Sequence, residues 1–233
     1  MHSHVPRLDI RFFYDGFDFP VTRQDCGVQC APYNPTGKPF CCDICQAIPV
    51  AYHQEWEYLS THTDLWHKWR GDECASDPLN PAEIRADTPE HLELIACKGP
   101  AFCQREYRAS SCRQFPFFPY VTSNYRFIGL AYYREYASSC WVISNLDQVT
   151  MNFRQAFIGT YDEIFNLWPD EFESYAAASA EMRDFFADQR RRFPLLHRNG
   201  GDYDVSPNSG RLRRINLKQL SKFGPYFKKT DPE

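Results

Sequence analysis

Five cysteines fall within the twenty residues 26–45: Cys26, Cys30, Cys41, Cys42 and Cys45. Cys97, Cys103 and Cys112 form a second group downstream. A thiolate is a soft ligand, suited to zinc, copper(I) and the iron of iron–sulfur clusters. The short spacings Cys26-x3-Cys30 and Cys42-x2-Cys45 let one loop present two sulfurs to one centre. The adjacent pair Cys41-Cys42 is different, because neighbours on extended backbone point to opposite sides. That favours two centres, or one polynuclear centre, over a lone tetrahedral zinc. The competing account of each of these residues is a free cysteine packed as a small apolar side chain. Cys74 and Cys140 stand apart and are expected to be unligated; Cys140 precedes the apolar run Trp141-Val142-Ile143 and fits simple core burial.

Composition narrows the setting for that chemistry. The chain has 233 residues, 43% hydrophobic and 16% aromatic, with 19 Phe and 14 Tyr, enough large side chains to fill one substantial core. No apolar run of about 18 residues suggests a membrane-spanning helix. No apolar h-region with a small-residue cleavage site follows the N-terminus. The expectation is therefore a cytoplasmic protein, in which thiols stay reduced and ten cysteines favour metal ligation over disulfides. The net charge of −4 hides an asymmetry: residues 205–230 carry seven Lys and Arg and no acid. An acidic body with a basic tail suits self-association or an acidic partner, a protein among them; a solvated tail, or one docked on the protein's own acidic body, is expected in preference to nucleic-acid binding.

The elements that must position the thiols read as follows. Residues 8–21 carry Asp15-Gly16 between apolar runs, a hairpin or strand-and-turn signal. Residues 26–47, with Pro32, Asn34-Pro35, Gly37 and Pro39, form a loop that is costly to order, and a metal bound by its thiols would offset that entropy. A helix is expected from Pro49 to about residue 60. A second short helix carries Leu65, Trp66 and Trp69. A polar loop covers 71–90, and helical turns over 90–96 lead into Cys97. Phe117, Val121 and the aromatic stretch 125–133 read as two strands about a Thr122-Ser123-Asn124 turn, the first an edge strand because of Pro116 and Pro119. Two long helices follow. One starts at a capping box, Ser144-Asn-Leu-Asp147, and buries Phe153, Phe157, Ile164 and Trp168. The other starts at Pro169, runs past Phe193 and stops at Pro194.

The histidines have no metal-ligand spacing with the cysteines, and Glu55 and Glu57, two apart on a helix, read as solvated. No phosphate loop, dinucleotide fingerprint or Ser-His-Asp pattern is present.

The downstream cysteines sit in a longer motif. Cys103-Gln-Arg-Glu-Tyr-Arg108-Ala-Ser-Ser-Cys112-Arg113-Gln-Phe115-Pro116 resembles C-x4-R-P-x2-C-R-x-F-P, the signature of the YkgJ-type CxxCxxCC zinc- or iron-chelating family. The eight-residue gap, Arg108, Arg113, Phe115 and Pro116 match, while Ala109 stands where the family has proline. Cys97 corresponds to the cysteine that commonly precedes this segment. Upstream, Cys26, Cys30, Cys41 and Cys42 are similar to CxxCxxCC, with gaps of three and ten residues in place of two and two; Cys45 is an alternative ligand. The resemblance covers about residues 26–116. It implies cysteine-bound zinc or iron, an iron–sulfur cluster among the forms. A similar cysteine module occurs in flagellin lysine methylases, so it is not tied to one reaction. Arg108 and Arg113 would hydrogen-bond cluster sulfurs or thiolates, or else pair with surface acids.

Together these readings give an α+β chain: a helix-rich single domain with a small antiparallel sheet and a cysteine-rich metal-binding loop region. Residues 1–200 would form that domain, with the metal module at about 26–116 and the helical part at about 145–195, and residues 201–233 a basic mobile tail. The expected function is a metalloprotein binding zinc or iron through Cys26, Cys30, Cys41, Cys42, Cys45, Cys97, Cys103 and Cys112. The alternatives are a redox or group-transfer enzyme using that cluster, and a protein-interaction module with a metal-stabilised fold.

Overall fold

A computed structural model describes residues 9–74 and 80–227. The chain is a mixed α+β protein, as expected, and divides into two compact units. Of the described residues, one unit holds 9–18, 25–74 and 80–115, and the other holds 19–24 and 116–227.

The first unit carries all the cysteines but Cys140. Its elements are α1 (Ile10–Gly16), α2 (Cys26–Cys30), β1 (Val50–Tyr52), α3 (His53–His62), β2 (Trp66–Lys68), α4 (Pro81–Asp87), β3 (Leu92–Cys97) and α5 (Ser110–Gln114). Helix α1 replaces the expected hairpin. Ile10, Phe13, Tyr14 and Phe17 recur at helical spacing and all four are buried, so the stripe outweighs the Asp-Gly turn signal. The three strands pair antiparallel in the order β1-β3-β2, with Val50 opposite Leu94 and Trp66 opposite Cys97. Trp66 and residues 92–97 are therefore strand where helical turns were expected. These runs are too short for helix and strand periods to be told apart, and the sheet pairing decides. Helix α4 lies within the expected polar loop, capped by the Asn80 side chain on Ala82 N–H at 3.0 Å, with Pro81 in its first turn. The rest of that loop, 75–79, is outside the described residues.

The second unit is built on a five-stranded antiparallel sheet, β4 (Phe117–Val121), β5 (Phe127–Tyr132), β6 (Phe193–His197), β7 (Asp202–Val205) and β8 (Leu212–Arg214), in sequential order. Strand β4 is an edge, as its prolines require. Helices α6 (Trp141–Ser144), α7 (Met151–Leu167) and α8 (Pro169–Asp188) complete the unit. Phe117, Phe153, Phe157 and Phe193 are wholly buried and form the centre of its core. The cap of α7 is Thr150, whose hydroxyl accepts from Phe153 N–H at 3.2 Å, six residues beyond the expected box at Ser144. Helix α8 starts at Pro169 as expected but ends at Asp188, so Phe193 and Pro194 belong to β6.

The basic stretch after 201 is part of this fold through residue 227. It supplies β7 and β8, Arg213 pairs with Asp204, and Lys222 reaches Asn145. Phe223 N–H donates to the Ser144 hydroxyl at 2.8 Å, and the Tyr226 hydroxyl donates to Ser139 C=O at 2.8 Å. The sequence expectation failed because short strands with few large apolar residues borrow their burial from neighbouring strands. The last residues, 228–233, lie outside the described part. Among the described residues no helix is long and apolar enough to cross a membrane.

Candidate metal centre

Six thiols from five stretches of the first unit line one cavity of about 310 Å³. Cys26 comes from the start of α2, and Cys41 and Cys42 from a 3-10 turn, Phe40–Cys42. Cys97 ends β3, Cys103 follows in the next loop, and Cys112 sits on α5. The sheet sets Cys97 opposite Trp66, which also lines the cavity. Gly99 N–H donates to the Cys97 sulfur at 3.4 Å. Gly99 holds φ at 103°, a value that side-chain-bearing residues rarely adopt.

The backbone of the Cys41-Cys42 pair is a 3-10 turn rather than the extended form assumed from the sequence. Both sulfurs face this cavity and stand 4.0 Å apart. The cause is the backbone: successive side chains in a 3-10 turn are about 120° apart, not opposed as on a strand. The separation is near the ~3.8 Å between two sulfurs on one tetrahedral zinc, given zinc–sulfur bonds of ~2.3 Å.

Two expected ligands lie elsewhere. Cys45 is bonded to Cys74 in a disulfide, with Cα atoms 5.7 Å apart, so it is not a free ligand and Cys74 is not a lone thiol. Asp43 turns the chain that way: its carboxylate accepts from Cys45 N–H at 3.2 Å, and its carbonyl accepts from Gln46 and Ala47 N–H. Cys30 is buried one turn beyond Cys26, with its thiol directed at Gly27 C=O at 3.6 Å, and is outside the cavity lining. Cys140 is buried in the second unit, as expected for a core thiol.

The two arginines separate in role. Arg108 lines the cavity and donates to Cys112 C=O at 2.8 Å. Burial alone would lower its pKa, but the Cys112, Cys103, Cys41 and Cys42 sulfurs raise it. Arg113 does not line the cavity. It is buried, and its guanidinium donates to the carbonyls of Arg108 at 2.8 Å, Phe17 at 3.1 Å and Glu106 at 2.9 Å, while lying 4.2 Å from the Tyr14 ring. It clamps the turn that carries Arg108 and also pairs with the half-exposed Asp18 at 3.3 Å, so it acts on that turn and not on the cavity lining.

Electrostatics divides the thiols. The hydrogen bond from Cys41, with help from Arg108 and against burial, brings Cys42 down to about 7. Burial pushes Cys112 up to about 12 and raises Cys97, Cys103 and Cys30. Among the described residues no three His, Cys, Asp or Glu side chains meet at one point as they stand. The donor set nonetheless suits a soft ion: six thiols gathered on one cavity, with one carboxylate, Asp25, engaged in capping α2, and a guanidinium to offset thiolate charge.

Three features escaped the sequence reading. Loop 31–47 is tied by its own side chains. Asp43 accepts from Asn34 Nδ2 at 3.0 Å and from the Thr36 hydroxyl at 2.7 Å, and Asn34 also donates to Lys38 C=O at 3.0 Å. Glu55 is fully buried, not solvated, because it shares the inward face of α3 with Leu59. It accepts from the Tyr14 hydroxyl at 2.6 Å, Ser110 N–H at 2.6 Å and the Ser110 hydroxyl at 2.7 Å, so it caps the helix bearing Cys112. Lys38 and Lys98 join Arg108 on the cavity lining. Asn34-Pro35 was a visible turn signal for the first; the other two had no local signal, since distant segments supply the partners.

No family model, curated protein or solved structure matches this chain. The functional reading therefore stands on the cavity and its chemistry.

Proposed function

We propose that this chain is a metalloprotein that binds zinc or iron, as ions or as an iron–sulfur cluster, through the cavity cysteines. The observation that carries the reading is the convergence of Cys26, Cys41, Cys42, Cys97, Cys103 and Cys112 on one cavity beside Arg108. The resemblance of residues 103–116 to the YkgJ-type zinc- or iron-chelating signature supports the same reading. The proposed ligand set leaves out Cys45, which is bonded to Cys74, and Cys30, whose thiol is directed at Gly27 C=O.

Each residue has a part. The thiols hold the metal and release protons as they do so, which makes affinity pH-dependent. Arg108 offsets the negative charge that the thiolates gather. Gly99 N–H supports the Cys97 sulfur. Glu55 and Arg113 fix α5 and the turn before it, and so aim Cys112 and Arg108. Bound zinc would supply cross-linking or Lewis acidity, and bound iron or an iron–sulfur cluster would add electron transfer.

The open space beside the thiols favours a second, catalytic form of this reading over a purely structural one. A structural site encloses its ion with four ligands and leaves no room; a reactive site keeps a position free. Anaerobic purification followed by metal analysis and a visible spectrum tests the proposal. Zinc or iron at one or more per chain is expected. A reduced protein that carries no metal, and takes up none when zinc or ferrous iron is supplied, would overturn it.

A further inference from the structure

We infer that the thiol-lined cavity also binds a small organic carboxylate beside the metal. The inference rests on the metal reading for its charge balance and on the cavity itself for its room. A volume of about 310 Å³ is far more than one ion requires and reaches the ~300 Å³ at which small-molecule pockets begin. Three cations line it, Arg108, Lys38 and Lys98, against one carboxylate, Asp25. Asp25 is already engaged in capping α2, accepting from Gly27 N–H at 2.8 Å and Val28 N–H at 3.3 Å. A divalent ion held by three thiolates carries one negative charge. The lining then keeps one positive charge in excess, which one monoanion neutralises.

The shape of the donors favours a carboxylate. Arg108 gives one described side-chain hydrogen bond, to Cys112 C=O, and its planar fork matches a carboxylate in two-point fashion. Lys98 does pair with Asp64 at 2.6 Å, but Asp64 is largely exposed, and such surface pairs hold a lysine weakly. The remaining wall is apolar, with Ile44, Leu65 and Trp66, so the ligand carries an apolar body behind its charge. A monoanion with an apolar body fits this lining better than inorganic phosphate, which has none.

Calorimetry on the anaerobically purified, metal-assayed protein tests this with phenylacetate, its neutral isostere phenylacetamide and inorganic phosphate as probes. Phenylacetate should bind at least about tenfold more tightly than the amide. Lys38→Ala and Lys98→Ala should each weaken phenylacetate by roughly threefold while metal content stays unchanged. Equal binding of acid and amide, no heat from either at millimolar concentration, or tighter binding of phosphate would overturn the inference. Metal content read on the same sample keeps the two claims apart. Metal without carboxylate preference defeats this inference alone; carboxylate preference without metal defeats the metalloprotein reading and leaves the anion site standing.

Discussion

Asp43 organises the cysteine loop at the level of single hydrogen bonds. Its carboxylate accepts from Asn34, Thr36 and the Cys45 N–H, and it is almost wholly buried. Burial pushes its pKa up, but those donors prevail and hold it below the usual carboxylate value. The folded form is thus the weaker proton binder. Its contribution to stability is fully present above the unfolded carboxylate pKa of about 3.9 and is lost as pH falls through the lower folded value. Asp43→Ala should cost about 2 kcal/mol in urea unfolding at pH 7, because Asn34 and Thr36 lose their acceptor. The difference from the wild type should shrink on acidification. Arg113 is a second such residue. Arg113→Lys keeps the charge but cannot reach the carbonyls of Arg108, Phe17 and Glu106 together, so a loss of about 3 kcal/mol is expected. An unchanged thermal midpoint would contradict the clamp.

At the level of elements, the cysteines fall into two classes that one variant pair separates. Cys45→Ser/Cys74→Ser should leave metal content near the wild-type value, while Cys112→Ser should lower it; metal analysis of the two purified variants reads the contrast. Much of this arrangement was legible beforehand. The β4–β5 hairpin followed from its aromatic and β-branched runs and the turn at 122–124, and the second long helix from Pro169. Six of the eight expected ligands line the cavity. The rest depended on long-range pairing. Cys45 and Cys74 are 29 residues apart, and no spacing rule joins them. Residues 92–97 became strand because β1 and β2 flank them, and the basic stretch after 201 became sheet because β6 offers an edge to β7. Cys41 and Cys42 share a cavity only because their backbone is a 3-10 turn, which Pro39 precedes without announcing.

At the scale of the whole molecule, the cysteine chemistry is confined to the unit formed by residues 7–18 and 25–115. Loop 31–47 is tied by its own hydrogen bonds and by the Cys45–Cys74 disulfide. Cys103 is the one exposed thiol of the cavity lining, and the stretch about it is held by Thr63 to Gln104 at 2.7 Å, Trp66 to Tyr107 C=O at 2.8 Å, Arg113 to the Arg105, Glu106 and Arg108 carbonyls, and the Arg105–Asp18 pair at 3.4 Å. Removing metal with a strong chelator under reducing conditions should therefore expose Arg105 to trypsin first, with the five-stranded unit still resistant. Mapping early fragments by mass spectrometry checks this order; first cleavage within 31–47 would show that the loop depends on metal after all. The central claim is a metal held by sulfur in this cavity. X-ray absorption at the metal edge of the anaerobically isolated protein tests it most directly. The account predicts a shell of at least three sulfur neighbours that loses sulfur in Cys112→Ser. A shell of nitrogen and oxygen alone, or one unchanged by that substitution, would contradict it.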